Sequence, residues 1–271
     1  MRPHVDLDEN FELTALYTAF SARYGSDYYV SGEVHDFWEL VIVTEGEIGV
    51  TAGKEIFYLK KGQAILHTPN EFHNLWSAKN TEAGILIFTF GARHLPLPAA
   101  RIFSLETLDE PSEILQELRA AFEIHTHTVR AIREGCEASA AVTVKRLELF
   151  LLRLFGTGKT QHKGLGTSQS ARNYAAVVRY LEEHLHSNLT VAEIARACNM
   201  GEVNLKKTFS HYAGMGIMSY FNRLKIHAAV GLLREGATVR ECAESLGFLN
   251  QNYFSTVFKR IMGRSPKSFK E

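Results

Sequence analysis

Apolar residues in the last hundred positions of the chain recur with the period of an α-helix. One predicted helix spans residues 171–186, and another spans residues 218–235, where Gly236 is placed to end it. The inward face of the second helix is predicted to consist of Phe221, Leu224, Ala228 and Leu232. The C-terminal part of the chain is therefore expected to be an all-α domain.

One short helical segment occurs twice in this region. The string TVAEIARACNM at residues 190–200 returns as TVRECAESLGF at residues 238–248. Each copy begins with a Thr that is followed three residues later by a Glu, so that the two side chains reciprocally satisfy free amides at a helix start. Ala195 and Ala243 lie at the centres of the copies, where a small side chain lets a second helix cross closely. The pattern predicts two helix-turn-helix motifs, a repeat typical of DNA-binding proteins.

The helix after each turn is predicted to have an apolar and a polar face. The apolar faces consist of Leu205, Phe209 and Tyr212 in the first copy and of Phe254, Val257, Phe258 and Ile261 in the second. The polar faces carry the predicted DNA-contacting residues, which are Val203, Lys206, Lys207, Ser210, Gln251, Asn252, Ser255, Thr256 and Lys259. Gln and Asn suit adenine edges and Lys suits guanine. The alternative, a face that only meets solvent, is disfavoured by the capped repeat and by the charge of this region.

Charge and length both suit DNA. Lys and Arg outnumber Asp and Glu by six in residues 171–271 and are outnumbered by six in residues 1–170, so the formal net charge is zero. The helix predicted between the two copies would be about 27 Å long at 1.5 Å per residue. A rigid spacer of that length could hold two recognition helices roughly one DNA turn apart, so that they enter successive major grooves.

Residues 28–90 show a different pattern, in which short apolar strands alternate with turn signals. The predicted strands are Phe37–Val43, Ile48–Thr51, Glu55–Leu59, Gln63–Leu66 and Gly84–Phe90. Regular short strands without intervening helices predict an all-β barrel or jelly roll.

Two helices are predicted after the strands. Their apolar positions are Ile114, Leu115, Leu118 and Phe122 in the first and Leu147, Phe150, Leu151, Leu154 and Phe155 in the second. The second is apolar over much of its circumference, so it either packs on its own domain or forms a dimer interface. Residues 156–170 combine glycines with Ser and Thr around a single apolar residue, Leu165, and predict a flexible linker.

These patterns predict an α+β protein of two domains. Residues 1–100 would form a sensing β-barrel, 101–155 a helical segment for dimerisation, 156–170 a linker and 171–271 the DNA-binding domain. The cysteines Cys136, Cys198 and Cys242 are odd in number and scattered, and no apolar run approaches the roughly 18 residues of a membrane span. We therefore expect a reduced, cytoplasmic protein without a membrane partner.

Residues 171–271 resemble the DNA-binding domain of the AraC/XylS family of transcription regulators. The resemblance rests on GFLNQNYFSTVFKRIMGRSPKSF at residues 247–269 and MGEVNLKKTFSHYAGMGIMSYFNRLK at residues 200–225. It implies base contacts by the polar faces described above, a homodimer on double-stranded DNA, and contact with RNA polymerase if the protein is an activator. The chain departs from the family at Gly201, at Ser210 and His211, and at Thr256, where a capping Ser, two Lys and an Arg are usual. We therefore expect modest affinity per monomer and some reliance on dimerisation.

Spacings in the strand region resemble the two motifs of the cupin fold, which is the sensing domain of many such regulators. The matching acids and imidazoles are Glu33, His35, Glu39 and His73, where metal-binding cupins have three His and one acid. The resemblance implies that these four residues could hold a divalent transition metal, and no other cofactor is expected. The interpretation we prefer is a pocket for a small-molecule effector, such as a sugar or similar polar metabolite, contacted by His35, Trp38, Glu39 and His73, with Phe37 or Trp76 as other flat faces. A purely structural network is the third alternative.

Three further histidines are not predicted to be ligands. His67 stands alone, and His125 and His127 lie in a segment predicted to be helical, where residues two apart point in different directions. The leading hypothesis is thus an effector-responsive transcription regulator that is not an enzyme. The alternatives are a metal-dependent cupin enzyme fused to a DNA-binding module and a constitutive architectural DNA binder with a vestigial barrel.

Overall fold

The computed structural model describes residues 10–96, 100–156 and 168–269 of the 271-residue chain. The chain divides into two compact units. The first consists of Met1–Tyr29, Glu33–Ala52 and Phe57–Gly164, and the second of Val30–Gly32, Gly53–Ile56 and Leu165–Glu271. Most of the predicted linker, residues 157–167, lies outside the described residues.

The first unit contains two antiparallel sheets. Its strands are β1 Glu12–Tyr24, β2 Trp38–Glu45, β3 Glu47–Ala52, β4 Glu55–Lys60, β5 Gln63–His67, β6 His73–Ser77, β7 Ala83–Arg93, β8 Ile102–Ser104, β9 Phe122–His125 and β10 Thr128–Ile132. The large sheet has the order β8-β5-β2-β7-β1-β10-β9, and the small sheet has the order β4-β3-β6. The predicted strands correspond to β2, β3, β4, β5 and β7, whereas the pattern did not predict β1, β6, β8 or the hairpin β9–β10.

Two helices cover one face of the large sheet. Helix α1 spans Asp109–Ala121 and helix α2 spans Glu137–Gly156. Leu40 and Ile42 of β2 share one hydrophobic core with Leu118 of α1 and Leu151 of α2. All five predicted apolar positions of the second helix are buried in this core, which confirms packing within its own unit.

The segment after α1 is a hairpin and not a helix, so the helical conformation predicted around His125 and His127 is wrong. The chain leaves α1 at Ala121, and Phe122 begins β9. Thr126 and His127 form the turn with positive φ values of 44° and 75°. Pairing of Thr128 in β10 with Thr18 in β1 attaches the hairpin to the large sheet, a long-range contact that local helical spacing cannot reveal.

The second unit is helical. Its elements are α3 Gln169–Glu183, α4 Val191–Ala197, α5 Glu202–Ala213, α6 Ile217–Arg234, α7 Val239–Ser245, α8 Gln251–Met262 and a short 3₁₀ helix, Pro266–Phe269. The central helix α6 ends as predicted before Gly236, which has a φ of 98°. Its buried face differs from the prediction: Lys225, Ile226, Ala229 and Leu233 are buried, and Leu224, Ala228 and Leu232 are only half-buried.

These observations confirm the predicted α+β fold class, with a β-rich first part and a helical second part. Among the described residues, every helix is too short or too polar to cross a lipid bilayer.

Candidate nucleic-acid interface and sensing cluster

The first helix-turn-helix motif consists of α4 and α5. Thr190 caps α4: its Oγ1 accepts a hydrogen bond from the Glu193 amide at 3.3 Å, and the Glu193 carboxylate accepts one from the Thr190 amide at 2.7 Å. This is the reciprocal box that the sequence predicts. Ile194 and Ala195 are buried, and Asn199, with a φ of 52°, turns the chain toward α5.

The second motif, α7 and α8, repeats this construction. Thr238 Oγ1 accepts from the Glu241 amide at 3.1 Å, and the Glu241 carboxylate accepts from the Thr238 amide at 2.6 Å. Gly247, with a φ of 64°, makes the turn. The turn is one residue longer than in the first motif, and Leu249 within it is 80% exposed. The two motifs therefore share the same capped first helix but differ in the length of the turn that leads into the second helix.

All nine predicted DNA-contacting residues lie on α5 or α8. Eight are exposed and Ser255 is half-buried. Val203 is unusual among them because it is an apolar side chain that is 82% exposed to solvent. Lys206 Nζ lies 3.6 Å from a Glu202 carboxylate oxygen on the same helix. The Thr256 hydroxyl donates to the Asn252 carbonyl at 3.0 Å. The structure thus brings four of the residues together on α5 and five on α8.

The second helices of the two motifs, α5 and α8, begin with different caps. Asn250 Oδ1 accepts a hydrogen bond from the Tyr253 amide at 2.8 Å at the start of α8, whereas Gly201 offers no side chain to cap α5. The family pattern predicts a weaker cap at Gly201, whereas the cap at Asn250 was not predicted. Its signal was present, because Asn is among the preferred capping residues.

Replacing Asn250 with Ala should lower the free energy of unfolding by about 1 kcal/mol, because the first turn of α8 loses its cap. Gly201→Ser is the matched variant, because it adds a capping side chain at the start of α5. Gly201 has a φ of −73° and a new side chain there would meet nothing within 4 Å, so we expect a stabilisation of a few tenths of a kcal/mol. Urea unfolding followed by helix circular dichroism measures both. If both variants changed the free energy of unfolding by the same amount in the same direction, the assignment of the two caps would be wrong.

Lys225 is a buried cation between the two motifs. Its Nζ donates to the Ser187 carbonyl at 2.7 Å, just before the first motif, and lies 4.5 Å from the Phe221 ring centre and 5.3 Å from that of Phe248, in the second turn. Burial lowers its pKa to about 8. Lys225 could not be identified from the sequence, because the helical pattern of α6 predicts Phe221, Leu224, Ala228 and Leu232 as the inward face. Lys225 connects the entry of one motif to the turn of the other.

A row of polar side chains crosses the inner face of the large sheet. Glu39 in β2 pairs with His67 in β5 and with Thr89 in β7, and Thr89 pairs with Thr18 in β1. Residues directly opposite one another share a face, so strand register alone aligns these side chains. Leu40 and Ile42, the alternate residues of β2, face the helices instead. These polar side chains are an exception, because the other buried residues of β2, β5 and β7 are mostly apolar.

Two histidines meet Glu39 at this row. His35 Nε2 lies 3.5 Å and His73 Nε2 lies 3.6 Å from the two carboxylate oxygens of Glu39. Each imidazole uses Nδ1 at 3.0 Å from a backbone carbonyl, that of Phe37 for His35 and that of Glu71 for His73. A carbonyl accepts only, so Nδ1 carries the proton and Nε2 is directed toward Glu39.

The buried charges perturb one another. Burial acts to raise the pKa of Glu39, but contact with His35 and the neighbouring His73 and His67 imidazoles hold it below its usual value. Burial acts to lower the pKa of His35, but Glu39 raises it overall. Burial, with His67 nearby, lowers the pKa of His73 to about 4. One imidazole is therefore biased toward the cationic form and the other toward the neutral form.

The structure brings together only part of the predicted sensing set. His35, Glu39 and His73 form a cluster whose ligand atoms all lie within 4.8 Å of one another. The Glu33 side chain is 57% exposed, with its oxygen 3.9 Å from His73 Nε2, although its backbone pairs with that of His73. Trp38 packs on the opposite face of β2, with the helices. The buried Trp76 lies directly over Gly49.

His67 is not predicted as a ligand from the sequence, yet its ring lies beside that of His73. Its ring stacks on that of His73 with centres 4.3 Å apart, and its Nδ1 lies 3.5 Å from a Glu71 carboxylate that also pairs with Arg101. No local signal in the sequence marked it, because register with Glu39 brings it into place. Phe37, whose ring stacks on His35 at 3.9 Å, provides the aromatic face of the cluster.

A separate cavity of 820 Å³ lies beside α1 and α2, with Leu105, Glu110, Phe150 and Arg153 in its wall. Its Glu110 and Arg153 pair with each other at 3.0 Å. These two charges therefore neutralise each other, and Glu106 is a further acid in the cavity wall.

A helical unit with two capped helix-turn-helix motifs and a β-rich unit with a buried polar cluster define a DNA-binding protein with a separate sensing domain. Comparison with known proteins agrees. Residues 16–142 match the family described as AraC-like ligand binding domain, and residues 194–271 match the helix-turn-helix domain family. The chain belongs to the AraC family of transcription regulators.

Individual relatives are distant. The activator RhaR of Pectobacterium atrosepticum is 23% identical over 247 residues, which cover 88% of this chain and 84% of RhaR. The MmsAB operon regulatory protein of Pseudomonas aeruginosa is 29% identical over 93 residues, 34% of this chain, and the match spans only 30% of that regulator. Crystalline ToxT from Vibrio cholerae, bound to an unsaturated fatty acid, is 15% identical, with 96% of each chain covered and a TM-score of 0.38.

Proposed function

We propose that this protein is an effector-responsive transcription regulator that acts in the cytoplasm on double-stranded DNA and catalyses no reaction. The observation that carries the proposal is the pair of capped helix-turn-helix motifs, each with an exposed polar recognition face, on one chain with an AraC-like ligand binding domain. The proposed domains are residues 1–100 for sensing, 101–155 for dimerisation, 156–170 as linker and 171–271 for DNA.

In this proposal α5 and α8 enter successive major grooves. Helix α6, Ile217–Arg234, would act as a spacer of about 27 Å, which with its flanking turns could hold α5 and α8 roughly one DNA turn apart. Lys206 and Lys207 on α5 would favour guanine or phosphate, and Gln251 and Asn252 on α8 would favour adenine. Since the two faces differ in charge, the chain would bind DNA in one direction.

The proposed effector is a small polar metabolite contacted by His35, Glu39 and His73, with Phe37 as its flat face. Its binding would shift the population of two arrangements of domains or subunits and so change which half-sites are reached together.

A homodimer would use the outer face of α2, where Val142 is 62%, Leu149 46% and Leu152 41% exposed. An activator would also contact RNA polymerase.

A cupin enzyme fused to a DNA-binding module is the second candidate, and the same cluster of His35, Glu39 and His73 is what favours it. A regulator requires binding at this cluster without turnover. An enzyme would convert a substrate at a rate that falls when the cluster is removed. The constitutive binder differs from both because its operator affinity would not respond to any compound.

A chain lacking residues 1–155 should still bind a half-site, but weakly and as a monomer. The recognition helices and their supporting core lie in residues 168–269, whereas the proposed dimer face is removed. Selection of binding sites from random DNA with the full chain supplies the operator, and gel shift then compares both chains. Complete loss of DNA binding by a folded fragment would refute the autonomy of the DNA-binding domain. A full chain that selects no site would refute the proposed function.

A further inference from the structure

The turns of the two motifs have the same backbone arrangement over their first part. Asn199 in the first turn and Gly247 in the second have positive φ values of 52° and 64°. The next residues, Met200 and Phe248, each donate an amide hydrogen bond to the carbonyl of the alanine at the centre of the preceding helix, at 2.8 Å and 2.9 Å. The two turns therefore match residue for residue as far as Met200 and Phe248.

Beyond this point the second turn contains one extra residue. In the first motif Gly201, the N-cap of α5, follows Met200 directly. In the second motif Leu249 lies between Phe248 and Asn250, the N-cap of α8. Leu249 therefore has no counterpart in the first motif, and it accounts for the difference in turn length.

Leu249 is directed into solvent, although its neighbour Phe248 is directed inward. The centre of the Phe248 ring lies 5.1 Å from that of Phe254 and 5.3 Å from the Lys225 ammonium. Leu249 is 80% exposed, and among the residues that the structure describes only Val203, at 82%, is a more exposed large apolar side chain. Val203 belongs to the predicted DNA-contacting face of α5. The two most exposed large apolar side chains thus both lie at the start of the second helix of a motif.

The position of Leu249 gives it a partner on DNA when α8 lies in a major groove. A recognition helix approaches the bases with its N-terminal residues. Leu249 is two residues before Gln251, the first residue of α8, so their Cα atoms lie within about 7 Å of each other. The 5-methyl group of thymine is the apolar group that base pairs present in the major groove, and apolar side chains contact it.

We propose that Leu249 contacts the 5-methyl group of a thymine beside the base pair that Gln251 contacts, and so gives the second motif a preference for thymine at that position. The inference deepens the proposed function and rests on it, because it requires α8 to enter a major groove. It makes Leu249 a specificity-determining residue in addition to the nine predicted DNA-contacting residues. Since the extra residue occurs only in the second motif, Leu249 adds this preference only to the part of the operator that α8 contacts.

Deoxyuridine tests this contact, because it differs from thymidine only by the missing methyl group. The operator is first selected with the full chain, and each of its thymines is then replaced singly by deoxyuridine. Fluorescence anisotropy at fixed salt measures the affinity of the full chain for each DNA. We expect one replacement to weaken binding about 4-fold, which corresponds to about 0.8 kcal/mol for one buried methyl group.

Two variants assign this loss to Leu249. Leu249→Ala should fold normally because the side chain is exposed, should bind the unmodified operator about 4-fold more weakly, and should not respond to that deoxyuridine. Leu249→Met keeps an apolar side chain of similar volume and should retain the response. Ile132→Ala is the matched control, since it shortens an exposed apolar side chain on β10 in the first unit and should leave the response unchanged.

The proposal is overturned if no deoxyuridine weakens binding, or if Leu249→Ala responds to deoxyuridine as the natural chain does. Unchanged affinity of Leu249→Ala for the unmodified operator would also overturn it, and would point to a protein partner that covers the exposed leucine. In each of these cases the full chain has selected an operator, so the proposed regulator stands. A chain that selects no operator refutes the proposed function instead, and the two failures are therefore distinguishable.

Discussion

Replacing Lys207 and Gln251 with Ala should each weaken specific operator binding by about 1–3 kcal/mol, if these side chains contact base edges. Lys207 lies on the exposed face of α5, and Gln251 is the first residue of α8, where a recognition helix comes nearest to the groove. Because the two helices would occupy separate grooves, the losses should add, giving roughly 2–6 kcal/mol for the double variant. Fluorescence anisotropy at fixed salt measures this.

The two losses should differ in kind. Lys207→Ala should also lower the salt dependence of binding if its ammonium neutralises a phosphate, whereas Gln251→Ala should change base preference without changing that slope. Arg179→Ala is the control, since it removes an equal charge from an exposed position on α3, outside both predicted DNA-contacting faces. Unchanged operator affinity in the double variant, or an equal loss with Arg179→Ala, would refute the assignment of the recognition faces.

Gly247→Ala should destabilise the second unit more than Asn250→Ala does. Gly247 has a φ of 64°, a conformation that costs a side-chain-bearing residue about 1–2 kcal/mol. A β-carbon there would also lie 2.6 Å from the His186 carbonyl oxygen, so the segment that follows α3 would have to move away from the second motif. We expect a loss of about 2–4 kcal/mol in the free energy of unfolding and weaker operator binding.

Gly263→Ala separates the two causes. Gly263 ends α8 with a φ of 74°, and a β-carbon there would meet nothing within 4 Å, so only the conformational cost remains. Urea unfolding should be followed by circular dichroism of the helices, since both tryptophans, Trp38 and Trp76, lie in the first unit. Similar losses for the two variants would show that His186 does not constrain the turn.

Features with local causes were predicted well from the sequence. The capping boxes at Thr190 and Thr238 lie within one helical turn, so the starts of α4 and α7 follow from neighbouring residues. The buried faces of α5 and α8 also agree with the periodic pattern, apart from the half-buried Ile261. The buried face of α6 was predicted less well, because that helix packs against both motifs and its contacts are not set by its own period.

The cluster of His35, Glu39 and His73, in contrast, could be predicted from the sequence only in part. His35, Glu39 and His73 stood out by spacing, but their convergence depends on how β2 pairs with β7 in the large sheet, how β6 pairs with β3 in the small sheet, and which carbonyls orient both imidazoles. The same spacing also suggested Trp38, which neighbours Glu39 in sequence and therefore points to the other face of the strand. His67, with no suggestive neighbour, joins the cluster through its pairing with Glu39.

By itself, the sequence determined that this chain carries two capped helix-turn-helix motifs after a β-rich domain, because caps, turns and periodic burial are short-range properties. Only the tertiary structure decided which imidazoles meet the buried carboxylate, that α2 packs on the large sheet, and that Lys225 connects the two motifs. Those outcomes depend on strand register and on helix packing between residues that are far apart in the chain. Such contacts cannot be predicted from any short segment of the sequence, because both partners must be known.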